Sequence, residues 1–153
     1  MIKFLKMTVD IQKRDDIKFC SKDHLILHYG KFFTEYAGFK TKIGVKKQCF
    51  MNATDLMLRH DLIYCEGYAS CRDIPFPIEH AWCIDIKGKI IDNTWDNEEG
   101  NLYLGIPFSK TFVAKRMVLT QEYGIFGSSV RDFVYNGFLP DELWSGHQCV
   151  PLI

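Results

Sequence analysis

A cysteine, a histidine and an aspartate follow one another in this chain in an order that suits nucleophilic catalysis. Cys49 opens a predicted helix, His80 lies early in a predicted strand, and Asp92 lies in the next strand. A thiolate attacks carbonyl carbon, an imidazole takes the thiol proton, and a carboxylate orients the imidazole. The three residues together predict acyl chemistry on an amide, an ester or a thioester.

The position of Cys49 favours the charged form of its thiol. The first turn of a helix carries unpaired N–H groups and a partial positive charge, and both stabilise a thiolate. The same N–H groups, with the side-chain amide of Gln48, can donate hydrogen bonds to a developing oxyanion. We therefore predict Cys49 as the nucleophile and Gln48 as an oxyanion donor. The alternative that Cys49 is a small buried core residue stays open at this point.

A hairpin is predicted to bring the histidine and the aspartate together. The turn Lys87–Lys89 joins two predicted strands, residues 78–86 and 90–95. The register of this hairpin makes Asp92 a diagonal neighbour of His80, and its carboxylate is then within reach of the imidazole. The prediction is that Asp92 orients His80, against the alternatives of a satisfied core histidine and an aspartate that caps the turn.

Three further residues are candidates for an oxyanion site or a cleft wall. Glu66 and Tyr68 belong to the segment E-G-Y-A in a predicted strand over residues 62–69, and Trp82 follows His80 by two residues. Strand side chains alternate, so Trp82 shares a face with His80. A solvent-facing role for Glu66 and a core role for the two aromatic residues are the alternatives.

A structural zinc site is the rival interpretation of the same region. Its soft ligands are Cys65, Cys71, His80 and Cys83. However, no C-x-x-C motif occurs, and alternation directs His80 and Cys83 to opposite faces of their strand. We therefore expect no metal site, and the sequence indicates no cofactor.

Composition predicts one globular domain over residues 1–153. Apolar residues make up 47% of the chain, and Lys+Arg and Asp+Glu are equal at 19 each, which argues against a nucleic-acid partner. The first ten residues are interrupted by lysines and predict neither a signal peptide nor a membrane segment. The six cysteines are irregularly spaced, which favours free thiols, and we expect a cytoplasmic protein with no membrane partner.

Hydrophobic periodicity predicts an α+β fold. Residues 1–20 are predicted to form a short strand and a polar connection, and residues 23–37 a helix with Asp23 as N-cap and Gly38 as its stop. The other predicted helices cover residues 49–60, 109–123 (with Ser109 as N-cap) and 129–137, and residues 140–144 form a last turn. Helices combined with antiparallel strands define the class.

The motifs around the three residues resemble the transglutaminase-like branch of the papain-fold cysteine enzymes. The resemblance rests on a cysteine at a helix start, a G-Y-A strand, H-A-W at 80–82 and D-x-T at 92–94. It implies a papain/transglutaminase-like core, in which a helix that bears Cys49 packs on an antiparallel sheet that bears His80 and Asp92. It further implies a triad of these residues and a peptide, protein or small acyl substrate. One departure is that Asp92 is followed by Asn93 where proline is common in the family.

The chain is also similar to small phage and bacterial proteins that carry H-A-W and a later Y-L-G-I-P-F segment. This likeness implies a phage or prokaryotic source, with the host cytoplasm as the location for a phage protein. Hydrolysis is expected ahead of acyl or amine transfer, because a small open domain excludes little water. The alternative, from another class, is a non-catalytic binding or inhibitor protein that retains the fold and contacts a host protein.

Overall fold

The structure is a computed structural model that describes residues 1–12, 18–38, 41–71, 74, 76–95 and 101–152. The described residues confirm the α+β class. The helices are α1 (Ile2–Gln12), α2 (Lys22–Tyr29), α3 (Cys49–Arg59), α4 (Lys110–Thr120) and α5 (Val130–Asn136). The strands are β1 (Lys31–Phe33), β2 (Ile63–Ser70), β3 (Ile78–Ile84), β4 (Ile90–Ile91) and β5 (Leu102–Phe108).

The strands form one curled antiparallel sheet in the order β1-β5-β2-β3-β4. β2 is central and pairs along its length with β3 on one side and β5 on the other. β5 is missing from the sequence prediction because Gly105 and Pro107 interrupt its apolar pattern, and both residues weaken a strand signal.

The two faces of the sheet are covered in different ways. On the helix-covered face, side chains from all the described helices pack on alternate strand residues, which are Tyr64, Tyr68, Ala81, Cys83, Ile91, Leu104, Ile106 and Phe108. The aromatic face instead buries Phe33, Ile63, Cys65, Ala69, Trp82, Ile84, Ile90 and Tyr103 under the loop residues Tyr36, Trp95 and Trp144. The cluster on this second face contains no residue from a described helix.

The N-terminal segment is a helix, so the predicted strand there is wrong. Leu5 and Val9 are buried and Ile2 packs against the same cluster, while Lys3 and Lys6 are exposed. The spacing of the three apolar residues is that of one helix face, which the interrupting lysines obscure in the sequence.

The second helix is shorter than predicted. It ends at Tyr29, and the chain continues as β1 because Gly30 takes an extended conformation. Its N-cap is Ser21, whose hydroxyl accepts the backbone N–H of His24, and Asp23 is therefore not the cap. The Asp23 carboxylate instead accepts a 2.5 Å hydrogen bond from the Tyr68 hydroxyl.

The remaining elements largely follow the sequence prediction. α3, α4 and α5 are confirmed with ends that move by one to three residues, and Ser109 caps α4 by accepting the N–H of Phe112. The predicted hairpin forms, but its second strand is only Ile90–Ile91. In its turn, the Asp85 carboxylate accepts the N–H groups of Lys87 and Lys89.

No described helix is long and apolar enough to cross a membrane. The six cysteines all lie among the described residues and all carry free thiols.

Candidate active site

A buried ion pair joins His80 in β3 to Asp92, which directly follows β4. The His80 Nε2 donates to Asp92 Oδ2 at 2.6 Å, and the two residues are only 2% and 8% exposed. Asp92 Oδ2 also accepts the Tyr103 hydroxyl at 3.0 Å, and Oδ1 accepts the backbone N–H groups of Thr94 and Trp95. Four hydrogen bonds therefore fix this carboxylate, so that it holds the imidazole in one orientation.

The second ring nitrogen of His80, Nδ1, is available for a contact with the Cys49 thiol. Because Nε2 is bound to Asp92, Nδ1 is the nitrogen that can exchange a proton with Cys49. Burial by itself lowers the pKa of His80, but the hydrogen bonds and charges of Asp92 and Cys49 outweigh it and raise that pKa to about 9. This shift favours the protonated ring at neutral pH, in which Nε2 donates to Asp92 and Nδ1 can donate to the Cys49 sulfur.

The nucleophile candidate lies where the sequence predicted it. Cys49 is the first residue of α3 and is half-buried. Gln48 occupies the N-cap position, is exposed, and makes no side-chain hydrogen bond to the helix. The first-turn N–H groups are thus not capped by this side chain, and they can donate to a charge that develops next to Cys49.

The helix that carries Cys49 and the side chain of His80 lie on opposite faces of the sheet. α3 packs on the helix-covered face, where the Cys83 thiol donates to the carbonyl of Ala53 at 3.2 Å. His80 and Trp82 lie on the aromatic face. β4 pairs with β3 only at Cys83 and Ile84, which leaves the strand edge at His80 uncovered by β4.

A buried asparagine connects the nucleophile's helix to the aspartate's segment. In the first turn of α3, Asn52 Oδ1 accepts the N–H of Val45, and its Nδ2 donates to the Val45 carbonyl at 2.7 Å and to Thr94 Oγ1 at 2.9 Å. The N–H of Thr94 in turn binds Asp92. Asn52 is not among the site residues predicted from the sequence. The feature that could have indicated it is a polar side chain on the buried face of α3, three residues after Cys49.

Aromatic rings enclose the imidazole. Trp95 stacks on His80 with ring centroids 4.4 Å apart, and Trp82 lies parallel to the ring at 6.3 Å. Tyr103 completes the enclosure and donates to Asp92. Trp82 is therefore a wall of this site, as its spacing predicted, whereas Tyr103 was missed because it lies on the unpredicted β5.

Two facing glycines allow close packing of the strands and of the Trp82 ring next to the site. Gly67 on β2 lies opposite His80 on one side and opposite Gly105 on the other. A Cβ on Gly105 would lie 2.6 Å from the tip of the Trp82 ring, and one on Gly67 would collide with the carbonyl of Leu104. The glycine of the G-Y-A motif thus permits close strand packing under the site.

Glu66 and Tyr68 lie on the helix-covered face, and the structure does not bring them to the imidazole. The Glu66 carboxylate accepts the Tyr64 hydroxyl at 2.8 Å and the N–H groups of Ile125 and Phe126. Burial raises the pKa of Glu66 and also that of Tyr68. Glu66 therefore anchors the loop that follows α4, and Tyr68 binds Asp23 at the start of α2.

The cysteines considered as zinc ligands are dispersed. Cys65 is buried on the aromatic face and Cys83 on the helix-covered face. Among the residues that the structure describes, no group of three or more His, Cys, Asp or Glu side chains is placed to hold a metal ion.

Comparison of the chain with protein-family models, with curated proteins and with solved structures finds no match.

Proposed function

We propose that this protein is a thiol-dependent acyl hydrolase with a papain/transglutaminase-like core. The observation that carries the proposal is that the His80 imidazole contacts both the helix-start thiol of Cys49 and the fully hydrogen-bonded carboxylate of Asp92. A buried histidine that only stabilised the core would not need a thiol on its second nitrogen.

The proposed reaction begins with attack of the Cys49 thiolate on the carbonyl carbon of the substrate. The negative charge that develops on the carbonyl oxygen is stabilised by the first-turn N–H groups of α3 and by the exposed amide of Gln48. The His80 imidazolium then gives its proton to the leaving group, and a thioester to Cys49 remains. In the second half, neutral His80 takes a proton from water, which attacks the thioester and releases the acid.

The proposed substrate is a peptide, a protein or a small acyl compound with an apolar group near the scissile bond. Trp95 stacks on His80 and is half-buried, so one edge of its ring is available at the site. Ile43 and Val45 are exposed on the segment that Asn52 holds next to α3. Water reaches a half-buried thiol directly, and this favours hydrolysis over transfer to an amine.

The test is hydrolysis of p-nitrophenyl acetate and of acyl thioesters of increasing chain length, with Cys49→Ala as the inactive variant and Cys149→Ala as the matched control. We expect turnover in the wild type and in Cys149→Ala, and an acetyl group on Cys49 in the mass spectrum of trapped protein. Acylation at other cysteines at equal rates contradicts the proposal and leaves the non-catalytic binding protein as the better interpretation.

A further inference from the structure

A second cysteine and histidine form a pair at the start of α2, on residues that the proposed reaction does not use. Cys20 Sγ lies 3.5 Å from His24 Nδ1, and the Cys20 backbone N–H donates to the same nitrogen at 3.3 Å. A ring nitrogen that accepts an N–H hydrogen bond carries a lone pair, so Nδ1 is the unprotonated nitrogen. The basic side of the imidazole therefore faces the thiol.

Local structure holds this pair in place. Ser21 caps α2 and accepts the N–H of His24, so that Cys20 and His24 are fixed on either side of the first helical turn. The backbone N–H of Phe19 donates to the carbonyl of Val134, which ties the approach to α2 to helix α5. The other acceptor near the thiol, the Val9 carbonyl, is more distant at 3.7 Å.

Cys20 lines a surface cavity of about 340 Å³ between α2 and α5. Its polar lining includes Ser21, Lys22, Arg131 and Tyr135, and no carboxylate belongs to the described lining. Lys22 is ion-paired with Glu79, whereas Arg131 is exposed and forms no ion pair with a described residue. The cavity thus combines a thiol that has a neighbouring base with an arginine that forms no ion pair with a described residue.

We propose that this cavity is a thiolation site, at which Cys20 reacts with a small anionic disulfide. His24 accepts the thiol proton as the Cys20 sulfur attacks one sulfur of the disulfide. The new bond joins Cys20 to that half of the disulfide, the original S–S bond breaks, and the other half leaves as a thiolate that takes the proton. No external oxidant is needed, and Arg131 pairs with the anionic group of the bound half.

The test measures reaction at each cysteine by mass spectrometry in the full-length Cys49→Ala chain, which removes the other thiol–imidazole pair. The probes are the anionic disulfide dithiobis(nitrobenzoate) and the neutral disulfide dithiodipyridine. Exposed Cys149, whose thiol donates to the backbone carbonyl of His28, is the reference. We expect Cys20 to react on the order of tenfold faster than Cys149 with the anionic probe.

Two variants separate the base from the charge. His24→Gln keeps an acceptor for the Cys20 N–H but removes the basic nitrogen, and we expect the Cys20 rate to fall about tenfold with both probes. Arg131→Gln should lower the rate only with the anionic probe, by about threefold. Buried Cys83 must stay unmodified in each variant, which shows that the fold is retained.

A Cys20 rate equal to that of Cys149 in the Cys49→Ala chain overturns the proposal without any further variant. An unchanged rate in His24→Gln overturns the role of the base, and an equal loss with both probes in Arg131→Gln overturns the anion preference. Because none of these readings depends on acyl hydrolysis, they stand or fall separately from the function proposed for Cys49.

Discussion

The two faces of the sheet are built from the same five strands but bury different chemistry. On the helix-covered face the described helices pack aliphatic and aromatic side chains against residues such as Phe108 and Ile106. On the aromatic face, loop residues cover the strands, and the layer includes the hydrogen-bonded group His80, Asp92 and Tyr103. Both faces depend on area removed from water, and both contain buried polar contacts, such as that of Tyr64 with Glu66 on the helix-covered face. The difference is that the aromatic face holds the imidazole of His80 and the groups that orient it.

This difference predicts which changes affect stability and which affect chemistry. Loss of a large side chain from the helix-covered face leaves a cavity that the surrounding helices cannot fill. Loss of one polar group from the aromatic face leaves the shape nearly intact but changes the charge and orientation of the imidazole. Paired substitutions on the two faces test this separation.

The largest expected contrast is between Cys49→Ala and Phe108→Ala. Cys49 is half-buried, so its substitution should abolish hydrolysis while the free energy of unfolding changes by less than about 1 kcal/mol. Phe108 is fully buried, and its substitution should cost about 3–5 kcal/mol. Urea denaturation and the hydrolysis assay measure the two effects. A strongly destabilised Cys49→Ala that retains activity would contradict the assignment.

The next largest effect is expected for Asp92→Asn, which presents an N–H group where His80 needs an acceptor. We expect a rate loss of about a hundredfold, on the order of 3 kcal/mol in the activation free energy. Alkylation of Cys49 by iodoacetamide should slow as well, because a less stable imidazolium supports less thiolate. Identical pH profiles of alkylation in the two proteins would show that Asp92 has no electrostatic contact with the pair.

Asn52→Ala should disturb both the site and the stability. The buried side chain makes three hydrogen bonds, and their loss should cost about 1–3 kcal/mol and reduce hydrolysis severalfold. Asn136 is a matched control, because it is exposed and donates to one backbone carbonyl. Equal costs for Asn52→Ala and Asn136→Ala would mean that the connection between α3 and Thr94 has no energetic role.

The raised pKa of His80 predicts a pH dependence of stability. Below about 6.5 the imidazole is protonated in both the folded and the unfolded state, and the stabilisation is complete. Between about 6.5 and the folded pKa of about 9 only the native state holds the proton, so the free energy of unfolding falls as the pH rises. The decrease should be smaller in Asp92→Asn, and denaturation curves at pH 6, 7.5 and 9 measure it. A wild-type curve no steeper than that of the variant contradicts the raised pKa.

The smallest expected effect is that of Tyr103→Phe. It removes one of the four hydrogen bonds to Asp92 and retains the ring that packs on Trp82. We expect a cost of about 1 kcal/mol and a rate loss of a fewfold. Tyr36→Phe, which removes the weaker bond that the Tyr36 hydroxyl donates to the Tyr103 hydroxyl at 3.4 Å, should have a still smaller effect. A larger loss in Tyr36→Phe than in Tyr103→Phe would reverse this order.

The sequence predicts those parts of the site that depend on local pattern. The helix start at Cys49, the strand at His80 and the turn before Asp92 each have a signal within a few residues. The turn sets the pairing of β3 with β4, which stops at Cys83 and Ile91, and Asp92, the next residue, contacts His80 beyond the paired residues.

The parts that depend on distant pairing are not predictable in this way. Tyr103 reaches Asp92 because β5 inserts between β1 and β2, and nothing near residue 103 signals that arrangement. Glu66 and Tyr68 face away from His80 because Gly67 is its partner across the strands, and only the register between β2 and β3 reveals this. The start of α2 differs from the prediction because Ser21, two residues before Asp23, caps the helix, and its end differs because the chain continues as β1 after the extended Gly30.

The position of Cys49 on a helix and of His80 on the sheet makes one distance in the site adjustable. If α3 slides along β3, the separation of sulfur and imidazole changes, while the distance between the imidazole and the carboxylate, both held on the sheet side, does not. Sliding of packed layers is a common low-energy motion in proteins. Asn52 resists it here, since its amide joins the first turn of α3 to Thr94. Through this link, the Asn52 side chain helps to fix the position of Cys49 relative to His80.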